Sequence, residues 1–253
     1  MTGRLFGIVL ITLLMVSGSA FADSFTFTSP GGNPWDGVYV NPYQATDNTQ
    51  NPNNPLTIYC DDWNTEFSGN PTWNATVLPV TPGNVPYFKY GGVTSDAVSV
   101  NSANQLVNSP FSTTAYDLYL GAVYLDQLMQ GTSDATTQQE LSAANWLLFV
   151  TSANAGSSTS GLIGAIDNSG STFEFAVAGY LNSAQNDYAS VDATGWDVIT
   201  PVGNASNGSP MQEFLTDNFT GQPNQVPEPS AVILLGTIVG LLGLTKFRRG
   251  RQA

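Results

Sequence analysis

The spacing of apolar residues changes twice along this 253-residue chain, from alternation to a helical repeat and back. A strand shows successive side chains to opposite faces, whereas a helix returns to one face every three or four residues. The first third alternates. The stretches "GVYVNPY" (37–43), "LTIYCD" (56–61) and "TWNATVLPV" (72–80) read as strands separated by Pro-, Asn- and Gln-rich turns. In the second of these, Leu56, Ile58 and Cys60 share one face, and Thr57, Tyr59 and Asp61 the other. Trp73, Ala75 and Val77 point together in the third.

Helical spacing takes over in "TTAYDLYLGAVYLDQLMQG" (113–131), where Leu118, Ala122, Leu125 and Met129 form a stripe and Gly131 is a stop. A second helix is predicted within 133–153, with capping residues at its start and Leu141, Ala144 and Leu148 on one stripe. A third starts near Ser171, which stands at capping-box spacing from Glu174, and aligns Phe173, Val177, Tyr180 and Ala184. "GWDVITPV" and "QEFL" return to strand character, separated by "GNASNGSP". This order predicts an α+β protein: an N-terminal β part (24–95) closed by C-terminal strands (195–216), with an inserted helical subdomain (113–190). About two hundred residues (23–220) are enough for one large domain or two small ones.

Both ends carry export features. Arg4 precedes an apolar run from Leu5 to Val16, and Ala20-Phe21-Ala22 offers small residues for a cut before Asp23. That is the anatomy of a signal peptide spanning 1–22, an N-terminal signal helix. After a linker (221–226), Val226 leads into Pro227, Glu228 and Pro229. An apolar stretch follows, with Ala231, Leu234, Leu235, Leu241, Leu242 and Leu244, and then the basic residues Lys246, Arg248, Arg249 and Arg251. The prolines hold the approach extended. The stretch makes a short membrane helix whose basic flank favours a cytoplasmic tail.

This tripartite tail (227–253) resembles the PEP-CTERM sorting signal of Gram-negative bacteria. The resemblance implies recognition by an exosortase-type transpeptidase, transient anchoring in the inner membrane, removal of the helix, and transfer to the cell surface or extracellular matrix. An ordinary tail anchor explains the helix and the arginines but not the Pro-Glu-Pro before them.

Removing both ends leaves Lys89 as the one basic side chain against eighteen carboxylates in residues 23–226, a net charge of −17. Such a surface repels phosphate polyanions, so nucleic acid is excluded as a partner, and anionic polysaccharide needs bridging cations. The chain contains no histidine. Serine–histidine and cysteine–histidine hydrolysis are therefore ruled out, along with the usual catalytic zinc ligand. No carboxylate pair stands out in the sequence, and no cofactor or metal site is expected. Asp61, Asp62 and Glu66 lie close together, but without EF-hand spacing they read as a solvated acidic loop rather than a calcium site. The sequons at Asn74, Asn204, Asn207 and Asn218 are what Asn-rich loops produce by chance.

The lone cysteine raises a separate question, since it cannot pair within the chain. Its setting, Tyr59-Cys60-Asp61 followed by helices, resembles the thioester domain of bacterial surface adhesins. The resemblance implies a β part, a helical part and a thioester joining the cysteine to a glutamine four residues before a helical tryptophan. Here the tryptophan is Trp146, and four residues before it stands Ser142, whose hydroxyl supplies no acyl carbon. Gln139 is the nearest alternative, seven residues before Trp146. The sequence favours Cys60 as a packed residue on the Leu56/Ile58 face. The expected function is that of a non-enzymatic, exported structural or adhesive protein. The alternatives are a covalent adhesin using Cys60 with Gln139, and a carbohydrate-binding module using exposed Trp35, Trp63 or Trp73 on extracellular polysaccharide.

Overall fold

The computed structural model describes residues 22–219, apart from 31–33, 50–54, 64, 66–68, 93–98, 102–104, 108–113, 151–156 and 218, with the backbone alone at 157–160. The signal segment to residue 21, the sorting motif at 226–229, the apolar stretch, the basic cluster, Glu66 and Asn218 lie outside the described residues. Among the described residues, no helix is long and apolar enough to cross a membrane.

The architecture is α+β. Strands β1 (Asp23–Ser29), β2 (Tyr43–Asp47), β3 (Pro55–Cys60) and β4 (Thr72–Pro79) come first, then a small hairpin of β5 (Ser99–Val100) and β6 (Leu106–Val107). Helices α1 (Ala115–Gln130), α2 (Ala135–Phe149), α3 (Ser157–Asn168) and α4 (Ser171–Asp187) follow, and β7 (Asp197–Pro201) and β8 (Phe214–Thr216) end the described chain. Six strands close a barrel in the order β1-β2-β3-β8-β7-β4, every neighbour antiparallel. The two C-terminal strands fill the gap between β3 and β4.

Alternation decides what fills the barrel. Phe25, Phe27, Leu56, Ile58, Cys60, Trp73, Ala75, Val77, Ile199 and Phe214 all point into one core. Ala45 stands between Phe27 and Leu56 in register, so a small side chain separates two large ones. Phe25 and Phe214 pack on Trp73 with ring centroids 5.6 and 5.8 Å away. Burying each large side chain stabilises the fold by about 1.5–3 kcal/mol.

The helices start where local chemistry lets them. Thr114 and Asp117 form a reciprocal capping box at α1, which ends at Gly131. Asp134 caps α2 by accepting from Thr137 N (2.8 Å). The predicted stripes of α1 and α2 are buried. Gly121 lets these two helices approach: a Cβ there would lie 3.3 Å from Leu148 Cδ1.

Four expectations need correction. Residues 37–43 are not a strand: Trp35 and Val38 bridge a tight turn with Asp36 and Gly37 at positive φ, and β2 begins only at Tyr43. Pro42 has no N–H for a ladder, and Asn41 N donates to Ser142 Oγ on α2 instead. Ser171 does not cap α4, because Gly170 holds the cap position without a side-chain bond. Helix α3 was not anticipated, since "SSTSGLIGAIDN" is rich in weak helix formers; Leu162, Ala165 and Ile166 are its buried side chains among the described residues. Finally, Tyr59 and Asp61 are on the outer face of β3 yet are buried (2% and 0% exposed), because the helices cover that end of the barrel.

Candidate functional site

The end of β3 meets α2 and the turn after β4, and a cluster of buried polar side chains (Asn41, Asp61, Asp62, Ser142, Gln212 and Glu213) gathers there. Cys60 is a free thiol with no exposed surface, in the barrel core beside Leu56 and Ile58 as the alternation predicts. Its Sγ donates to Asp62 O (3.4 Å) and accepts from Asp62 N (3.3 Å). Burial, with the Asp62 and Asp61 carboxyls nearby, pushes the thiol well above its ordinary pKa. A thiol held protonated is a poor nucleophile.

The backbone of Cys60 is held as firmly as its side chain. Its N–H donates to Asn41 Oδ1 (2.6 Å), and its carbonyl accepts from Asn41 Nδ2 and from Trp146 Nε1, both at 3.1 Å. Ser142 Oγ accepts from Asn41 N (3.1 Å) and donates to Gln138 O (2.7 Å). Ser142 and Trp146, four residues apart on α2, thus face the Cys60 strand end. Gln139 points elsewhere, donating Nε2 to Pro34 O (3.2 Å). Cys60→Ala should therefore lower stability by about 1 kcal/mol, and Cys60→Ser by at least as much. Native protein should react slowly with a maleimide and fully once unfolded. Fast labelling of the folded protein would reject the buried-thiol account.

Next to the thiol lies an acid cluster that is buried, where the sequence suggested a solvated loop. Asp61, Asp62 and Glu213 have no exposed surface. Asp62 forms an ion pair with Lys89 through Oδ2 and accepts from Tyr90 OH at Oδ1 (2.7 Å). Glu213, just before β8, accepts from Tyr119 OH (2.5 Å), Thr200 Oγ1 (2.6 Å) and Lys89 N (2.7 Å). Neither carboxyl oxygen of Asp61 meets a donor, which a buried anion does not tolerate. Burial and the neighbouring Glu213 raise Asp61 well above the usual carboxylate range. Burial raises Glu213 as well, and its three donors oppose that rise. Gly91 makes the turn that delivers Lys89 and Tyr90: a Cβ there would sit 1.8 Å from the Val85 carbonyl oxygen.

An open cavity of about 460 Å³ adjoins this cluster, lined among others by Tyr39, Tyr43, Trp63, Asn70, Trp146 and Gln212, with Asp62 in its wall. Gln212 Nε2 is fixed on Asp62 O (2.9 Å). The aromatics form one stack: Trp63 lies 5.0 Å from Trp146, and Trp35 packs between Trp146 (6.3 Å) and Phe173 (5.1 Å). Of the three tryptophans expected to be exposed, Trp35 and Trp73 are instead buried in the structure, at 7% and 2% exposure. Trp63 alone lines the cavity, joined by Tyr39, which is 54% exposed. Sequence reasoning passed over Tyr39, Asn70, Gln212 and Glu213. A signal was present for Glu213 alone: a lone acid within the predicted returning strand "QEFL".

Among the described residues, no group of three histidine, cysteine or acidic side chains is arranged to hold a metal ion. Compared with known proteins, the chain matches no family model and no curated protein.

Proposed function

We propose that this chain is an exported, non-enzymatic protein of the cell surface or extracellular matrix that binds polysaccharide in the Trp63 cavity. The supporting observation is the cavity itself, with aromatic faces at Tyr39 and Trp63 beside the amides of Asn70 and Gln212 and the Asp62 wall. A sugar ring has an apolar C–H face and a polar hydroxyl edge, and it needs that combination of partners. With eighteen carboxylates against one lysine in residues 23–226, an uncharged glycan suits the body better than an anionic one. Residues 1–22 act as the export signal. Val226, Pro227, Glu228 and Pro229 are read by an exosortase-type transpeptidase while the segment from Ala231 to Leu244 is held in the inner membrane.

The test is display and retention on cells that make both the transpeptidase and extracellular polysaccharide. Trp63→Ala should reach the surface normally yet bind purified neutral polysaccharide about tenfold more weakly or worse, as loss of a central aromatic contact does. Deleting residues 227–229 should abolish display. Unchanged retention of Trp63→Ala would remove the binding site from this reading, and unchanged display of the deletion would remove the sorting signal.

A further inference from the structure

Lys89 is the one basic side chain between the two ends of the chain, and it does not project freely into solvent. Its Nζ lies against Oδ2 of Asp62 and donates to Thr65 Oγ1 (2.9 Å). Asp62 is fully buried, its other oxygen accepting from Tyr90 OH at 2.7 Å. The Lys89 backbone is held in turn by Glu213 Oε2 (2.7 Å). A primary amine and a carboxyl are thus positioned together, with a hydroxyl donor on the oxygen that does not face the amine. Holding two reactants in this way replaces a bimolecular encounter with a unimolecular one.

We infer that Lys89 and Asp62 condense into an intramolecular amide, Nζ to Cγ. The ammonium passes a proton to Oδ2, and the neutral Nζ then attacks Cγ of the protonated carboxyl. Negative charge gathers on Oδ1, where the Tyr90 hydroxyl already donates. A second amine proton moves to the Oδ2 hydroxyl, the Cγ–Oδ2 bond breaks and water leaves. No electrons are exchanged with an outside reagent. Burial favours the neutral form of Asp61, which spares the forming oxyanion a neighbouring negative charge. The Lys89 side chain is 33% exposed, which gives the departing water a way out, while the Asp62 carboxyl is closed off from bulk solvent.

Two considerations favour the amide over a permanent ion pair. Burying a carboxylate beside two further carboxyls, with one amine to balance them, carries a desolvation penalty that a neutral amide removes. A chain with a single cysteine has no internal disulfide available, and this bond ties the end of β3 to the turn after β4 in its place. The inference does not depend on what the cavity binds or how the chain is sorted.

The experiment is peptide mapping of the full chain, denatured and cut with a glutamate-specific protease. Cleavage after Glu66 and Glu140 separates Asp62 from Lys89 unless they are bonded. The expected product is one linked species, lighter than the sum of the two peptides by about 18 Da, the mass of one water. Lys89→Arg should give two separate peptides at full mass, and Tyr90→Phe should lower the linked fraction several-fold. Unlinked wild-type peptides with a Lys89 amine that acetylates after denaturation would overturn the inference. So would a mass deficit that persists in Lys89→Arg. A thioester at Cys60 is told apart by its loss of ammonia and by protection of the thiol from alkylation.

Discussion

Glu213→Ala is expected to unfold the protein or leave it about 3–5 kcal/mol less stable, the range for breaking a buried charged network. The carboxylate accepts from a side chain of α1 (Tyr119), one of β7 (Thr200) and the backbone of the turn after β4 (Lys89). Alanine leaves those donors facing a cavity, each deprived of a partner at about 1–3 kcal/mol. Asp61 loses the neighbouring carboxyl that helps to raise its pKa, which relieves a little of the loss. Glu213→Gln keeps one acceptor oxygen but turns an NH2 toward donors, so it should fall between alanine and wild type. Urea denaturation measures the series. An alanine variant within about 1 kcal/mol of wild type would mean that water replaces the carboxylate, and that the network holds nothing together.

Trp146→Ala should have a comparable effect, about 3–5 kcal/mol, because a large buried ring is deleted. Trp146 is 2% exposed and contacts Trp35 and Trp63 while donating to Cys60 O. It is where α2 grips the end of β3. Trp146→Phe separates the two contributions. The ring largely survives, and the Cys60 carbonyl keeps its bond from Asn41 Nδ2, so the loss should be about 1 kcal/mol. Chemical denaturation of both variants decides the matter. If phenylalanine destabilises as much as alanine, the indole hydrogen bond rather than packing joins the helix to the barrel.

How much of this was legible depends on whether a residue answers to its immediate neighbours in sequence. Leu56, Ile58, Cys60, Trp73, Ala75 and Val77 sit where alternation puts them, because one continuous core fills the barrel. The limits of α1 were readable because Thr114, Asp117 and Gly131 act locally. Asp61 was misread for the opposite reason. Alternation reports which face a side chain is on, and it does not report that helices from sixty residues later cover that face. The same holds for Trp35, whose burial requires Trp146 and Phe173. The cavity combines residues 39, 63, 70 and 212, which no spacing rule connects. Strand β1, "DSFTFTS", alternates plainly and was as legible as β3, although the sequence reading names no strand there.

The place of β7 and β8 in the barrel has a consequence for synthesis. Until residues 197–216 exist, β3 and β4 each lack a neighbour, and the first four strands form only an open sheet with two unpaired edges. The core cannot be sealed from one end of the chain onward, because Ile199 and Phe214 belong to the same cluster as Phe25. Long-range pairing of this kind is slow and comes late. A chain arranged this way leaves its barrel open while the helices between β4 and β7 are being made, and closes it only when its last strands arrive.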